Sequence, residues 1–321
     1  MKPQNILIFG ASGQVGKNLL RLLTKNNYKC TVVTRSLHKK GLTLKTQGSA
    51  GWIECVEANI FDEKKLRDLM SKADICINLI GILFEKGNIN TFSNIHAKFP
   101  YLISKLAKEY SLKQFIQLSA LAIDESKDTK YSKSKIEGEI NIKKNFPNAT
   151  ILRPSLVFSS DDNSSTQFLT LLNRLPFFPL FGNPNFMPIY VADLTRIIYE
   201  VIIKKIKSTT IECIGPEKIS FKEILQRLLK LMDKKRFLIP LPLSLSKIIA
   251  KTFQLMPRPM LTEDQLKLLS YDNVASGRYK TNFDVGIPST HMFNDEVELY
   301  VHMWKERGEF SKKKYNLKND D

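Results

Sequence analysis

The sequence predicts an α/β protein with a doubly wound parallel sheet and a smaller, discontinuous C-terminal lobe. The first half of the chain alternates short apolar segments with segments whose apolar residues recur at helical spacing. Near-continuous apolar strands joined by helices are typical of a parallel sheet that helices cover on both faces. The first apolar segment also runs directly into a glycine-rich turn and a helical pattern. With right-handed crossovers, this pattern indicates a Rossmann sheet.

The sheet domain is predicted to comprise residues 1–155, with the short connections usual in α/β units. Its predicted strands lie at 5–9, 29–34, 52–56, 74–79, 113–119 and 149–153. Its predicted helices lie at 14–26, 63–72, 91–110 and 131–145.

The regular alternation is lost after residue 155, where the smaller lobe is predicted from residues 156–188 and 216–308. Between these two parts, residues 189–214 supply a strand-to-helix unit and a further strand, which we expect to return to the sheet. The charged residues 309–321 are predicted to form a flexible tail.

Two capping boxes predict helix starts inside the smaller lobe. Ser220–Glu223 is expected to open a helix that ends near Met232, and Thr262–Gln265 is expected to open another. In this motif the first side chain accepts from the backbone N–H three residues later, and the side chain there bonds back.

The charge of the chain is strongly positive, at +17, but lysine accounts for 38 of the 49 basic residues. These lysines are scattered rather than interleaved with aromatic residues, so we expect a solvated surface and no nucleic-acid partner. Attraction to an anionic membrane face stays open as the alternative. The hydrophobic fraction of 43% is typical of a globular core.

The remaining composition signals indicate a reducing compartment and no metal site. No cysteine pair has the Cys-x-x-Cys spacing, and the four histidines are dispersed along the chain. The chain enters a strand at once, and no apolar run approaches the ~20 residues of a membrane span. A cytosolic or peripheral protein with free thiols is therefore expected. The thiols are Cys30, Cys55, Cys76 and Cys213.

The turn after the first strand has the spacing of a phosphate-binding loop. Gly10 permits a tight turn, Gly13 lets a pyrophosphate approach the backbone, and Gly16 lets the helix pack closely on the sheet. The helix that begins near Gln14 then points unpaired N–H groups and the positive end of its dipole at the phosphates. The sequence therefore predicts dinucleotide binding, with Ser12, Gln14 and Val15 completing the loop.

The end of the second strand selects between two nucleotides. NAD-binding units carry an acidic residue there for the ribose hydroxyls, whereas this chain has Arg35. A guanidinium can hold a 2′-phosphate through two charged hydrogen bonds, and Lys39 and Lys40 add positive potential. NADP(H) is therefore favoured over NAD(H). The alternative is that Arg35 only begins a solvated loop.

Other strand ends are expected to border the same cofactor. Asn59 and Ile60, after the third strand, are predicted to lie beside the adenine. Leu79, Ile80 and Gly81, after the fourth strand, are predicted to lie along the cofactor, where small residues leave room.

Tyr131 and Lys135 have the Tyr-x-x-x-Lys spacing that places both side chains on one face of a helix. A cationic lysine is expected to favour the phenolate and so lower the pKa of the tyrosine toward a catalytic range. Tyr101 and Lys105 match the same spacing by chance, in a helix where Tyr101 is expected to pack on the sheet. Only Tyr131 follows the fifth strand, at the end where a nicotinamide would lie.

A third polar group would be needed to hold a substrate oxygen. Ser119 ends the fifth strand and is the candidate, while Ala120 and Leu121 occupy the places where a hydroxyl is expected. The alternative is that Ser119 only bonds to the backbone at the strand end.

Taken in order, these motifs make the chain resemble an extended or atypical short-chain dehydrogenase/reductase. The branch it resembles is the NADPH-binding Rossmann accessory subunit of respiratory complex I, NADH:ubiquinone oxidoreductase, with its bacterial relatives. The stretches that carry this resemblance are Asn78–Gly81, Leu118–Ala120, Tyr131–Glu139, Ile151–Ser155, Pro188–Asp193 and Pro257–Gln265.

The resemblance implies a tightly held NADPH that need not turn over, and docking near the quinone-site region of complex I. It implies that Tyr131 and Lys135 hold the nicotinamide ribose and that Arg35 holds the 2′-phosphate. It also implies that residues 154–157, including Pro154 and Leu156, border the nicotinamide, near Leu118.

Residues 243–256 form an amphipathic pattern with Lys247 and Lys251 four residues apart. A helix that packs within the lobe and a helix that contacts lipid both fit this pattern. The second reading places the protein at the cytoplasmic face of the inner membrane.

Three functions therefore remain open. The first is an accessory or assembly component of complex I whose NADPH is mainly structural. The second is an active NADPH-dependent reductase or epimerase that uses Tyr131 as acid and base. The third is a regulator that senses the nucleotide. The absent hydroxyl at 120–121 and the branch-like second half favour the first.

Overall fold

The computed structural model describes residues 4–160, 165–242 and 262–305. The predicted tail at 309–321 and the amphipathic segment 243–256 lie outside the described residues. So does the first part of the Pro257–Gln265 stretch, up to residue 261.

The main sheet has eight parallel strands in the order β14-β11-β6-β5-β4-β1-β2-β3. All six strands predicted in the first half are present, and the predicted doubly wound α/β fold is confirmed. The strand order reverses between β1 and β4, and in such sheets ligands bind at this switch point. The strands of the sheet are β1 Asn5–Phe9, β2 Lys29–Thr34, β3 Ile53–Glu57, β4 Ile75–Asn78, β5 Gln114–Leu118, β6 Thr150–Pro154, β11 Thr209–Cys213 and β14 Lys280–Thr281.

Three further sheets have two strands each, and they pair β7 with β10, β9 with β12, and β8 with β13. Their strands are β7 Val157–Phe158, β8 Phe177–Leu180, β9 Asn185–Phe186, β10 Ile189–Tyr190, β12 Ile219–Ser220 and β13 Phe237–Pro240. The α-helices are α1 Gln14–Lys25, α2 Leu37–Lys45, α3 Glu63–Ser71, α4 Phe99–Glu109, α5 Lys130–Asn145, α6 Ser165–Arg174, α7 Val191–Ile203, α8 Phe221–Leu231, α9 Glu263–Leu268 and α10 Phe293–Glu298. A 3₁₀ turn follows at Val301–Trp304.

Buried apolar residues form one cluster on each face of the sheet and a third beyond it. One face is covered by α1 and α7, and the other by α3, α4 and α5. The third cluster joins residues 158–180 to residues 219–232 and 293–301. Strand β11 pairs with β6, so the chain returns to the main sheet between the two parts of this third cluster.

Two elements differ from the sequence prediction. Helix α2 was not predicted because Gly41 and a run of lysines weaken its apolar pattern; only Gly41 and Leu44 are buried. The helix predicted over 91–110 is interrupted by a π-helical turn at Ser93–Lys98. Pro100 has no N–H to donate to the carbonyl of His96, which favours the wider turn.

The two predicted capping sites differ in detail. Thr262 and Gln265 form the complete reciprocal box, with bonds of 3.1 and 3.0 Å. At α8 the Ser220 hydroxyl accepts from the Glu223 N–H at 3.2 Å, but the Glu223 carboxylate bonds to Arg227 instead.

Candidate nucleotide-binding site

The glycine loop lies at the switch point, between the ends of β1 and β4. Gly10 has a φ of +83°, and a Cβ there would lie 2.9 Å from the backbone carbon of Leu79. A Cβ at Gly16 would lie 2.4 Å from the Cα of Ala11. Both glycines are therefore required by the packing of the turn itself.

Gly13 differs, because the protein leaves its Cβ position open. The nearest atom to a Cβ there is the Gly10 oxygen at 3.5 Å, an ordinary contact. Gly13 is the N-cap of α1, with no side-chain cap, and the first turn of the helix carries no acidic residue. The buried Nε2 of Gln14 has no hydrogen-bond partner within the described protein. The loop thus presents free donors where a pyrophosphate would lie.

Basic side chains gather beside this loop. The Nζ of Lys40 lies 3.0 Å from the Ser12 hydroxyl, which places the first turns of α2 against the glycine loop. Arg35 lies at the end of β2 and donates from Nη1 to Asn90 Oδ1 at 2.9 Å. The sequence identified Arg35 and Lys40, whereas the contact from Asn90, 55 residues away, has no local signal.

The other predicted cofactor residues lie at the ends of neighbouring strands. Asn59 is exposed and accepts from the Phe61 N–H at 3.0 Å, which shapes the turn after β3. Ile60 is buried among apolar residues of one sheet face. Leu79 and Leu118 pack on the opposite face, and Val15 joins them there.

Tyr131 and Lys135 lie together on the first turns of α5, with the Lys135 ammonium 5.9 Å from the centre of the tyrosine ring. Lys135 is only 6% exposed, and burial lowers its pKa to about 8. Its Nζ forms no hydrogen bond or ion pair with a described residue, and it lies 3.4 Å from the Cβ position of Gly81. A side chain at position 81 would therefore compete with this ammonium for space.

The predicted pKa direction for Tyr131 was wrong. Burial raises the pKa of its phenol to about 12, because the phenolate loses its hydration. The hydroxyl of Tyr131 forms no hydrogen bond with a described residue. Tyr101 was also expected to pack on the sheet, but 46% of its side chain is exposed.

Ser119 is 6% exposed, and its Oγ has no hydrogen-bond partner within the described protein. The alternative reading, in which this hydroxyl bonds to the backbone, is wrong. Its backbone N–H donates to the Leu152 oxygen at 2.7 Å, so the strand end is held without it. A buried hydroxyl without a partner is costly to the fold, and a ligand at this site would supply one.

His96 is the main residue that sequence reasoning missed. Its Nε2 accepts from the Ile82 N–H at 3.0 Å, and its Nδ1 lies 2.9 Å from the Ser134 hydroxyl. The Ser134 hydroxyl donates to the Tyr131 carbonyl at 2.7 Å, so Nδ1 carries the proton and donates to Ser134. Burial lowers the pKa of His96 to about 2, which keeps the ring neutral. His96 therefore ties the loop after β4 to the helix that carries Tyr131.

Near the end of β6, Arg153 is held by two carboxylates. Its guanidinium binds both oxygens of Glu139 on α5, at 2.9 and 2.7 Å, and also Asp124 at 2.7 Å. The ring of Tyr279 packs over the guanidinium, 4.5 Å from its carbon. Pro154, which follows Arg153 and ends β6, is buried, while Leu156 packs toward the third apolar cluster.

Within the described parts of the chain, no group of three or more His, Cys, Asp or Glu side chains is arranged to hold a metal ion. The four cysteines are free thiols, and all but Cys55 are buried. None of the helices described is both long and apolar enough to cross a membrane.

Residues 6–176 match the model of the NAD dependent epimerase/dehydratase family. Over 283 residues the chain is 25% identical to the mitochondrial NADH dehydrogenase (ubiquinone) 1 alpha subcomplex subunit 9 of Arabidopsis thaliana, covering 84% of this chain and 70% of that protein. It is likewise 25% identical to the mitochondrial NADH-ubiquinone oxidoreductase 40 kDa subunit of Neurospora crassa, covering 89% and 76% of the two chains.

Among solved structures, the fold is similar to that of dTDP-glucose 4,6-dehydratase from Bacillus anthracis in complex with NAD. The TM-score is 0.71 with 15% sequence identity, and the superposition covers 95% of this chain and 97% of that one. At this identity the likeness establishes the fold alone.

Proposed function

The chain belongs to the NAD dependent epimerase/dehydratase family, and from this premise we propose that it is a nucleotide-binding accessory or assembly component of respiratory complex I. Two observations support the proposed nucleotide binding. The space at the Cβ position of Gly13 is open, and the buried Gln14 Nε2 and Ser119 Oγ have no hydrogen-bond partner within the described protein. Gln14 follows β1 and Ser119 follows β5, so both atoms belong to the end of the sheet where a dinucleotide would bind.

The region formed by the glycine loop, Ser119 and the start of α5, called the cleft, has groups suited to each part of a nicotinamide dinucleotide. The backbone of the glycine loop and the N-terminus of α1 would hold the pyrophosphate. The ammonium of Lys135 and the hydroxyl of Tyr131 would bond to the nicotinamide ribose. Pro154 and Leu156 would border the nicotinamide ring.

NADP(H) is favoured over NAD(H) by the charges beside the ribose. Arg35 directly follows β2, and Lys40 contacts Ser12 of the glycine loop, so two cations lie near the expected position of the ribose. No acidic side chain follows β2 directly to take the ribose hydroxyls. A 2′-phosphate would exchange the neutral Asn90 partner of Arg35 for a charged one.

The complex I assignment rests on how far the similarity to the plant and fungal subunits extends. It covers 84% and 89% of this chain, so it includes the smaller lobe as well as the nucleotide-binding half. We also propose a peripheral location at the cytoplasmic face of the inner membrane.

The raised pKa of Tyr131 supports a mainly structural role for the nucleotide. Its phenol has a pKa of about 12, far from a catalytic range at neutral pH. A ligand held at 100 times its dissociation constant stabilises a fold by ~2.7 kcal/mol, so retention without turnover has a physical advantage.

One observation favours a second candidate, an active NADPH-dependent reductase or epimerase. The unpartnered hydroxyl of Ser119 could hold a substrate oxygen, and Tyr131 would exchange a proton with it. When bound, the dinucleotide would supply or accept the hydride. A panel of carbonyl substrates with wild type and Tyr131→Phe separates the candidates, since only an enzyme shows NADPH oxidation that the substitution abolishes.

The accessory role is tested by mild detergent solubilisation of membranes from cells that carry a tagged chain. We expect complex I subunits to co-purify with wild type and equally with Tyr131→Phe. A chain that purifies from membranes without those subunits, while its cleft binds NADPH, would contradict the complex I part of the proposal.

A further inference from the structure

The segment Thr262–Asn273, which we call the strap, connects the smaller lobe to the helix that carries Tyr131. Asp264 of the strap accepts two backbone hydrogen bonds from the start of α5. Its Oδ1 accepts from the Lys130 N–H at 2.8 Å, and its Oδ2 accepts from the Tyr131 N–H at 2.9 Å. A carboxylate at a helix N-terminus is stabilised by both the donors and the dipole.

Asp264 is held in place by its own helix. The reciprocal box between Thr262 and Gln265 fixes the first turn of α9, where Asp264 lies. The carboxylate therefore has a defined position relative to α5, although 133 residues separate it from Tyr131 in sequence.

Asp264 satisfies the first two backbone N–H groups of α5, which the N-cap side chain does not reach. Thr129 is the N-cap, and its hydroxyl accepts only from the Ser132 N–H, at 3.1 Å. The two preceding N–H groups are those that Asp264 satisfies. Without the strap, the N–H of Tyr131 would lose its partner, and only the hydrogen bond from Ser134 to the Tyr131 carbonyl would still tie this residue to His96.

Two more strap side chains hold the loop that leads into α5. The Tyr271 hydroxyl donates to Asp128 at 2.9 Å, and the Asn273 Nδ2 donates to the Leu121 oxygen at 3.2 Å. This loop begins at Ser119 and ends at Thr129, just before the helix that carries Tyr131. The strap therefore contacts the whole connection between Ser119 and Tyr131.

We propose that Asp264 is a positioning residue for the nucleotide cleft, and that nucleotide binding and seating of the strap stabilise each other. This inference rests on the proposed nucleotide binding. A dinucleotide that bonds to Tyr131 and Lys135 restrains the start of α5, which in turn restrains its partner Asp264. By linkage, a seated strap favours the nucleotide to the same degree.

The test measures the NADPH dissociation constant and amide hydrogen exchange of the full chain, with and without NADPH. The variants are Asp264→Ala and Asp264→Asn, since the amide can accept one of the two bonds. Glu298→Gln, an exposed carboxylate of the same lobe, is the matched control. We expect NADPH to slow exchange in residues 262–273 of wild type and of the control.

In Asp264→Ala this protection should be lost and the dissociation constant should rise roughly fivefold or more, the usual scale of coupling between sites. Asp264→Asn should fall between Asp264→Ala and wild type. If Asp264→Ala lowers the melting temperature but keeps both the wild-type dissociation constant and the protection, Asp264 is only structural and the inference is wrong. Should Asp264→Ala not fold, the same comparison is made on Asp264→Asn. A wild type that binds neither NADPH nor NADH overturns the proposed function, and the inference with it.

Discussion

At the scale of single residues, burial opposes the positive charge of Lys135. The ammonium is removed from water, which lowers its pKa, while the Glu139 carboxylate favours the charged form. The lowering of the Lys135 pKa from 10.5 to about 8 corresponds to a free-energy cost of roughly 3 kcal/mol for the charged form. A binding site can carry such a cost because the ligand then offsets it.

Lys135→Met should stabilise the nucleotide-free protein by about 1–3 kcal/mol at pH 7, because a buried charge is removed. The pKa of Lys135 is lower in the folded protein than in the unfolded chain. Between pH 8 and 10.5 the unfolded chain therefore binds more protons than the folded protein. Wild-type stability relative to the variant should therefore rise across this range. Urea unfolding at several pH values measures it, and Lys133→Met, on an exposed position of the same helix, is the control.

The same substitution should weaken NADPH binding, and wild-type affinity should fall as the pH rises through about 8 and Lys135 loses its proton. A variant that is more stable yet binds NADPH as tightly as wild type would show that Lys135 does not contact the nucleotide.

We propose that Arg35 sets a preference for NADPH over NADH. Arg35→Ala should raise the NADPH dissociation constant by roughly 10- to 100-fold, the scale of hydrogen bonds to a charged group, and should leave the NADH value unchanged. Calorimetric titration with both nucleotides measures this difference. Arg21→Ala is the control, because that guanidinium bonds to Gln47 away from the cleft. Equal losses for both nucleotides would contradict a 2′-phosphate contact.

At the scale of secondary-structure elements, two glycines of the turn between β1 and α1 have different roles. Gly16 is required for packing, whereas Gly13 is proposed to be required only for nucleotide binding. Gly13→Ala should fold with nearly wild-type stability, since its Cβ meets only one atom at 3.5 Å. Its affinity for NADPH should nevertheless fall at least tenfold, because the methyl group would occupy the approach to the pyrophosphate.

Gly16→Ala is the matched comparison. Its Cβ would meet the backbone of Ala11 at 2.4 Å, so we expect a loss of several kcal/mol in unfolding free energy. Thermal unfolding of both variants with and without NADPH tests the pair. A destabilised Gly13→Ala that still binds NADPH tightly would assign Gly13 to packing instead.

At the scale of the whole molecule, the sequence predicted what depends on local periodicity. The six strands of the first half were located from their apolar segments, and the glycine loop was located from the spacing of its three glycines after the first strand. Helix α2 was missed because its apolar pattern is weak.

The unpredicted features depend on contacts between distant parts of the chain. His96 bonds to Ser134, 38 residues away, and Asp264 bonds to Tyr131 across 133 residues. The pKa of Tyr131 depends on burial, which spacing along a helix does not reveal. Such pairings follow from how the elements pack, so no local pattern marks them.

The most direct test of the account is a calorimetric titration of the purified, folded chain with NADPH and with NADH. We expect one site per chain, a tighter dissociation constant for NADPH, and a weaker one for NADPH in Gly13→Ala. A folded wild type that shows no measurable affinity for either nucleotide would contradict the account at its base.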